Sequence, residues 1–271
     1  MTAVIRRVLI AGFVMLLVAV FVVLGVRALL DALHKKSVDE GCRAGDYSFT
    51  PGQTAVASAM TGVVRQRGLP ERAAVLVLAA GLQESKLRNL APGDGDRDSV
   101  GVLQQRPSQG WGTEEQLSDL HFATGAFLNA LVKIDHWQTD RLTDVIQAVQ
   151  ISAVPYGYAQ HEGQAQALAD ALTGKTPAGI TCSYPEPTMV TAPADIARQL
   201  AQDVPVRKPA VTATTVGVPG GGWPSAAWFV ANGERLGLER VSYSGQKWTR
   251  TSGWNNDPAA PAGVVVATIH Q

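Results

Sequence analysis

The reading of this 271-residue chain turns on Val75–Thr113, VLVLAAGLQESKLRNLAPGDGDRDSVGVLQQRPSQGWGT. Residues 70–87 predict a helix. Pro70 suits a first turn, Glu71 complements the helix dipole there, and an Ala/Val/Leu run follows. The run is apolar nearly all round and too short to cross a bilayer, which predicts a buried core helix. Glu84, at its C-terminal end, is out of place. Burial disfavours the ionised carboxylate, and so does the negative end of the helix. A carboxylic acid kept protonated near neutral pH suits general-acid cleavage of a glycosidic bond. The plain alternative is that Glu84 is simply the first exposed residue beyond the helix.

Composition removes several classes of function. The formal net charge is zero, whereas a nucleic-acid-binding chain usually carries a basic excess or stripe. Two cysteines and five histidines, with no H-E-x-x-H, do not make a zinc ribbon or a zincin. No G-x-S-x-G elbow, P-loop or Rossmann glycine turn occurs, so no metal or cofactor is expected.

Three segments carry more information together. Glu84-Ser85 is followed, after a Gly/Asp loop, by Ser99-Val-Gly-Val-Leu-Gln104-Gln-Arg-Pro107, and later by Ala148-Val-Gln150-Ile-Ser152-Ala-Val-Pro155-Tyr-Gly-Tyr158. In order and spacing these resemble the lytic transglycosylase/lysozyme-like superfamily (SLT-type and goose-type-lysozyme-related), in an actinobacterial or phage-like branch. The resemblance covers residues 52–172. It departs from the better-known members, which carry A-Y-N-x-G where this chain has Gln150-Ile-Ser-Ala.

The resemblance implies a helical domain with a substrate cleft and Glu84 as the acid. Ser85, Gln104, Gln150, Tyr158 and Trp111 are the expected substrate-binding or acid-orienting residues, with Tyr156 as the fallback for Tyr158. Asp94, Asp96 and Asp98 alternate in the loop. They read as a solvated turn, a calcium loop or the source of a second carboxylate. The calcium reading is poor, because Ser99 and Gln105 stand where that loop wants Gly and Glu. In the implied mechanism a second acid is unnecessary.

Outside this half, Val8–Val26 is an unbroken apolar run long enough to span a bilayer. A retained anchor over 8–30, with a cytoplasmic tail at 1–7, is expected in preference to a cleaved signal peptide. Residues 31–51 read as a juxtamembrane linker and 52–184 as the catalytic domain. Cys42 and Cys182 bracket that domain, as a disulfide joining its ends would, and such a bond implies an oxidising compartment. The alternative is two unrelated buried thiols. Residues 185–222, rich in Pro, Ala, Thr and Val, read as a linker. Residues 223–271 read as a small α+β module, with a helix over 225–236, strands over 239–243, 246–250 and 264–269, and a turn at Ser244-Gly245.

The expected fold is therefore mainly α: an N-terminal transmembrane helix, a lysozyme-like helical domain and a small C-terminal module. The expected function is a membrane-anchored, extracytoplasmic peptidoglycan lytic transglycosylase. Its partners would be glycan strands, the membrane through the N-terminal helix and, through the C-terminal module, an envelope or secretion/conjugation machinery; nucleic acid is not expected. Alternatives are a hydrolysing muramidase and a non-catalytic wall-binding or scaffold protein.

Overall fold

Cys42 and Cys182 stand directly opposite one another on neighbouring antiparallel strands and are joined by a disulfide. The computed structural model describes residues 40–152, 156–206 and 208–271. The expected tail and membrane span at 1–30 lie outside these residues, as does 31–39 of the expected 31–51 linker; the rest of that stretch is not a linker but forms two strands and the start of a helix. Among the described residues no helix is long and apolar enough to cross a membrane.

The disulfide belongs to a three-stranded sheet, ordered β2-β1-β3, of β1 (Gly41–Ala44), β2 (Tyr47–Phe49) and β3 (Ile180–Ser183). Between β2 and β3 runs the helical half. It contains α1 (Pro51–Gln66), α2 (Glu71–Ser85), α3 (Glu114–Ser118), α4 (Leu120–Leu131), α5 (Leu142–Gln150) and α6 (Glu162–Leu172). Helix α1 begins at a reciprocal capping box between Thr50 and Gln53, and α3 at one between Thr113 and Gln116, which satisfies amide groups a helix start would otherwise leave unpaired. Helix α2 is buried at every position from Ala73 to Leu82 and packs against α1, α4, α5 and α6.

The expectation of a mainly α fold is incorrect. Helices take 44% and strands 18% of the described residues, in two antiparallel sheets. The 185–222 stretch, expected as a linker, instead forms α7 (Pro193–Asp203) and strands β4 (Ala210–Val211) and β5 (Thr215–Pro219). These strands enter a six-stranded sheet with β6 (Leu238–Tyr243), β7 (Gln246–Thr249), β8 (Gly253–Asn256) and β9 (Val264–Ile269), in the order β4-β5-β9-β6-β7-β8. The reason is pairing at a distance. Strand β5 reads as linker by composition, but its Val216 and Val218 face inward beside Ala267 and Val265 of β9, where both rows are buried.

Helix α8 (Gly222–Ala231) joins the sheet to the helical half. Every residue from Ser225 to Ala231 is buried. One side of the helix meets β6 and β9, and others meet α1, α6 and β3. A helix apolar all round is stable only when buried on all sides. Tyr184 strengthens the seam: its hydroxyl donates to the Val230 carbonyl at 2.7 Å, lies 3.3 Å from Cys42 Sγ, and its ring meets Trp248 edge-on. Residues from 40 onward thus share one compact unit, and no boundary at 184 or 222 divides it. Short α9 (Gly233–Leu236) then turns the chain into β6.

Candidate active site

Glu84 sits in the last turn of α2, where the buried run ends. The chain then leaves the helix through two successive left-handed residues, Lys86 and Leu87. Two further segments reach the carboxyl group, the C-terminus of α5 and a 3₁₀ turn at Gly157–His161, and the 100–105 loop is fastened beside them.

The 3₁₀ turn supplies Tyr158, which is completely buried. Its hydroxyl donates to Glu84 Oε1 at 2.6 Å. The Ser152 side chain hydrogen-bonds the same hydroxyl. Burial, followed by the Glu84 contact, pushes the Tyr158 phenol well above its usual range, so it remains a donor. From α5, the Gln150 amide comes close enough to the Glu84 carboxyl to favour its ionised form. Gln150 Nε2 is anchored in turn on the Leu103 carbonyl at 2.9 Å.

Two opposing influences act on Glu84. Burial raises its pKa and is the larger; the Tyr158 hydroxyl and the Gln150 amide favour the ionised form and lower it. The net shift is upward. The result is an acid whose protonated form persists nearer neutrality than usual, held in orientation by the Tyr158 hydroxyl.

The 100–105 loop is pinned from both sides. Ser85 Oγ donates to the Val102 carbonyl at 2.8 Å and to Gly81 at 3.2 Å, while Gln150 holds Leu103. Gly101 is required where it stands. Its φ is +76°, and a Cβ there would come within 2.3 Å of the Leu117 carbonyl oxygen. The loop is closed further by Asp98, which accepts from Arg106 Nε at 2.6 Å and from the Ser108 amide at 2.9 Å. The Ser108 bonds, followed by Arg106, hold the Asp98 carboxyl far below the usual carboxylate range.

Of the residues singled out from the sequence, Glu84, Tyr158 and Gln150 come together. Ser85 turns its hydroxyl toward the 100–105 loop. It is buried and fastens the loop to α2. Gln104 has a left-handed backbone and turns its amide back onto its own loop, donating to the Gly101 carbonyl at 2.9 Å. Trp111 is half-buried against the hydrophobic core. Tyr156 is 77% exposed, and Tyr158 is the one bonded to the acid. Asp98 is engaged by Arg106. The Asp96 side chain is 89% exposed and 3.8 Å from Arg97, and among the described residues no cluster of His, Cys, Asp or Glu is arranged to hold a metal ion.

Sequence reasoning missed the Leu103 carbonyl that anchors Gln150 and the Asp98–Arg106 clamp. The first is a backbone atom and leaves no side-chain signature. The second is an opposite-charge pair eight positions apart, which no helical or strand period marks.

No protein-family model matches this chain, and no curated protein matches it.

Proposed function

We propose that this chain is an exported peptidoglycan lytic transglycosylase with Glu84 as its single acid and base. The observation that carries the reading is the Glu84 carboxyl: at the end of a buried helix, shifted toward its protonated form by burial and oriented by the Tyr158 hydroxyl. The sequence resemblance of the Glu84-Ser85, Ser99–Pro107 and Ala148–Tyr158 segments supports the choice of substrate. The Cys42–Cys182 disulfide supports an oxidising compartment outside the cytoplasm. The apolar run at 8–26 would tether the enzyme to the membrane from which it reaches the wall, beside the envelope machinery it would serve.

The proposed reaction needs no water. Protonated Glu84 gives its proton to the glycosidic oxygen between N-acetylmuramic acid and N-acetylglucosamine. The C1–O bond breaks and the N-acetylglucosamine 4-hydroxyl leaves. The Glu84 carboxylate then takes the proton from the muramic acid 6-hydroxyl as that oxygen bonds to C1. An anhydro ring forms, and Glu84 is again protonated. The cycle uses one carboxyl where a hydrolysing glycosidase ordinarily uses two. Engagement of Asp98 by Arg106 and Ser108 favours this one-carboxyl chemistry over a paired mechanism.

The test is digestion of purified peptidoglycan by the full chain beside Glu84→Gln. Anhydromuropeptides from the wild type alone support the proposal. Binding of the wall by both proteins with no product from either would replace it with a wall-binding role.

A further inference from the structure

Helix α7 ends on Asp203, whose backbone rests directly on α1. A Cβ placed on Gly62 would come within 2.6 Å of the Asp203 carbonyl oxygen. This seat leaves Asp203 only 6% exposed. A buried carboxylate is costly unless paired and hydrogen-bonded. Both of its oxygens are taken, by residues from different parts of the molecule. Trp228 Nε1 of α8 donates to Oδ2 at 2.7 Å, and His121 Nε2 of α4 lies 2.6 Å from Oδ1.

The surroundings hold these three side chains in place. Arg235 of α9 stands over the Trp228 ring at 5.8 Å, and Phe229 meets that ring edge-on. Asp119 Oδ1 lies 3.9 Å from His121 Nδ1. On α1, Arg65 lines the small space beside Asp203 and Trp228. Arg235 also feels the Asp203 charge. No nucleophile completes a catalytic arrangement among these residues. The cluster links α4 of the helical half to α7 and to α8, the helix that carries the six-stranded sheet.

We infer that His121, Asp203 and Trp228 form a proton-operated clasp that holds the sheet-bearing half on the helical half more firmly when His121 is protonated. Histidine is the side chain whose ordinary titration falls in the physiological range. The His121 side chain is 42% exposed, so its proton exchanges with solvent. With His121 protonated, the contact with Asp203 is a charge-assisted hydrogen bond; with His121 neutral, it is a weaker one. The Asp203 hydrogen bond, followed by the charges of Asp203 and Asp119, raises His121 above its ordinary value against the opposing effect of burial. A histidine raised in the folded state contributes stability that is fully present below its unfolded pKa. That contribution is lost as pH rises through the folded value. The clasp therefore closes on the acid side and loosens in the range above the ordinary histidine pKa.

Two measurements on the full chain test this. Proton NMR follows the His121 ring signal, assigned by its loss in His121→Gln, and calorimetry compares the two proteins at about pH 5.5 and about pH 9, on either side of an ordinary histidine titration. The clasp predicts a His121 midpoint above the ordinary value. It also predicts that wild type exceeds His121→Gln in Tm by more at the acidic pH than at the alkaline one. Asp203→Asn, if it folds, should return the midpoint toward the ordinary value. In wild type, exchange of α7 and α8 amide protons, corrected for intrinsic rates, should accelerate as His121 deprotonates. A His121 midpoint at or below the ordinary value, or a Tm difference unchanged with pH, would overturn the clasp.

Discussion

The Tyr158 hydroxyl donates to Glu84 Oε1 at 2.6 Å, joining the one buried residue of a 3₁₀ turn to the end of the central helix. The bond favours the ionised carboxylate while burial favours the protonated one, and burial wins. An acid poised in this way can give a proton and take one back within a single turnover.

Tyr158→Phe removes the donor and keeps the ring. Without that bond the carboxylate is less stabilised, so the Glu84 pKa moves further up. The alkaline limb of the pH–rate profile, where the acid loses its proton, moves to higher pH. The rate falls because the carboxyl is less well oriented, and stability falls by about 1 kcal/mol, as for one lost hydrogen bond. A pH–rate profile of both proteins checks the direction; an unmoved limb contradicts the assignment of Tyr158.

Glu84→Gln separates function from stability. Removal of a general acid lowers turnover by about 10²–10⁴-fold or more. A carboxylic acid whose pKa is raised in the folded state contributes stability that is present at low pH and lost as pH rises through the folded value. Near neutrality the variant should therefore be more stable than wild type, and its advantage should shrink as pH falls toward the ordinary carboxylate range. Calorimetry at several pH values measures this.

Asp98→Asn tests whether the loop carboxylate is a clamp or a second catalytic group. Asp98 is held far below the usual carboxylate range, so it stays ionised through the working range. The variant should loosen the 100–105 loop and cost about tenfold in rate by misplacement. It should keep the wild-type pH profile and the wild-type product. Loss of activity as complete as in Glu84→Gln would assign Asp98 a direct chemical role.

The disulfide closes a loop with a sequence separation of 140. In the chain-entropy model it contributes about 5 kcal/mol. A Cys42→Ser/Cys182→Ser double variant should melt about 10–20 °C lower, from the usual shift per kcal/mol in a domain of this size. A Tm within a few degrees of wild type would show that β1 and β3 pair stably without the bond.

The Glu84 helix was legible because a buried helix declares itself through an unbroken apolar run. Strands β6, β7 and β9 lie where alternation and the Ser244-Gly245 turn suggest strands. The three-stranded sheet was not legible. Gly41–Ala44 and Tyr47–Phe49 are too short to show a period, and their partner β3 lies far along the chain. Strand β5 was hidden in Pro/Thr/Val composition that suits an extended linker equally well. At the site, Glu84 was legible from its misplaced charge, whereas Gln150 and Tyr158 came from the resemblance. Sequence does not reveal which way a polar side chain turns, and Ser85 and Gln104 both bond carbonyls of the 100–105 loop.

The central claim is that Glu84 breaks a glycosidic bond with the sugar's own hydroxyl as nucleophile. It is tested most directly by digesting purified peptidoglycan in ¹⁸O-labelled water with the full chain and with Glu84→Gln, followed by mass spectrometry of the new glycan ends. The account predicts anhydro ends carrying no ¹⁸O from the wild type and none of these ends from the variant. Incorporation of ¹⁸O into reducing ends, or equal products from both proteins, would contradict it.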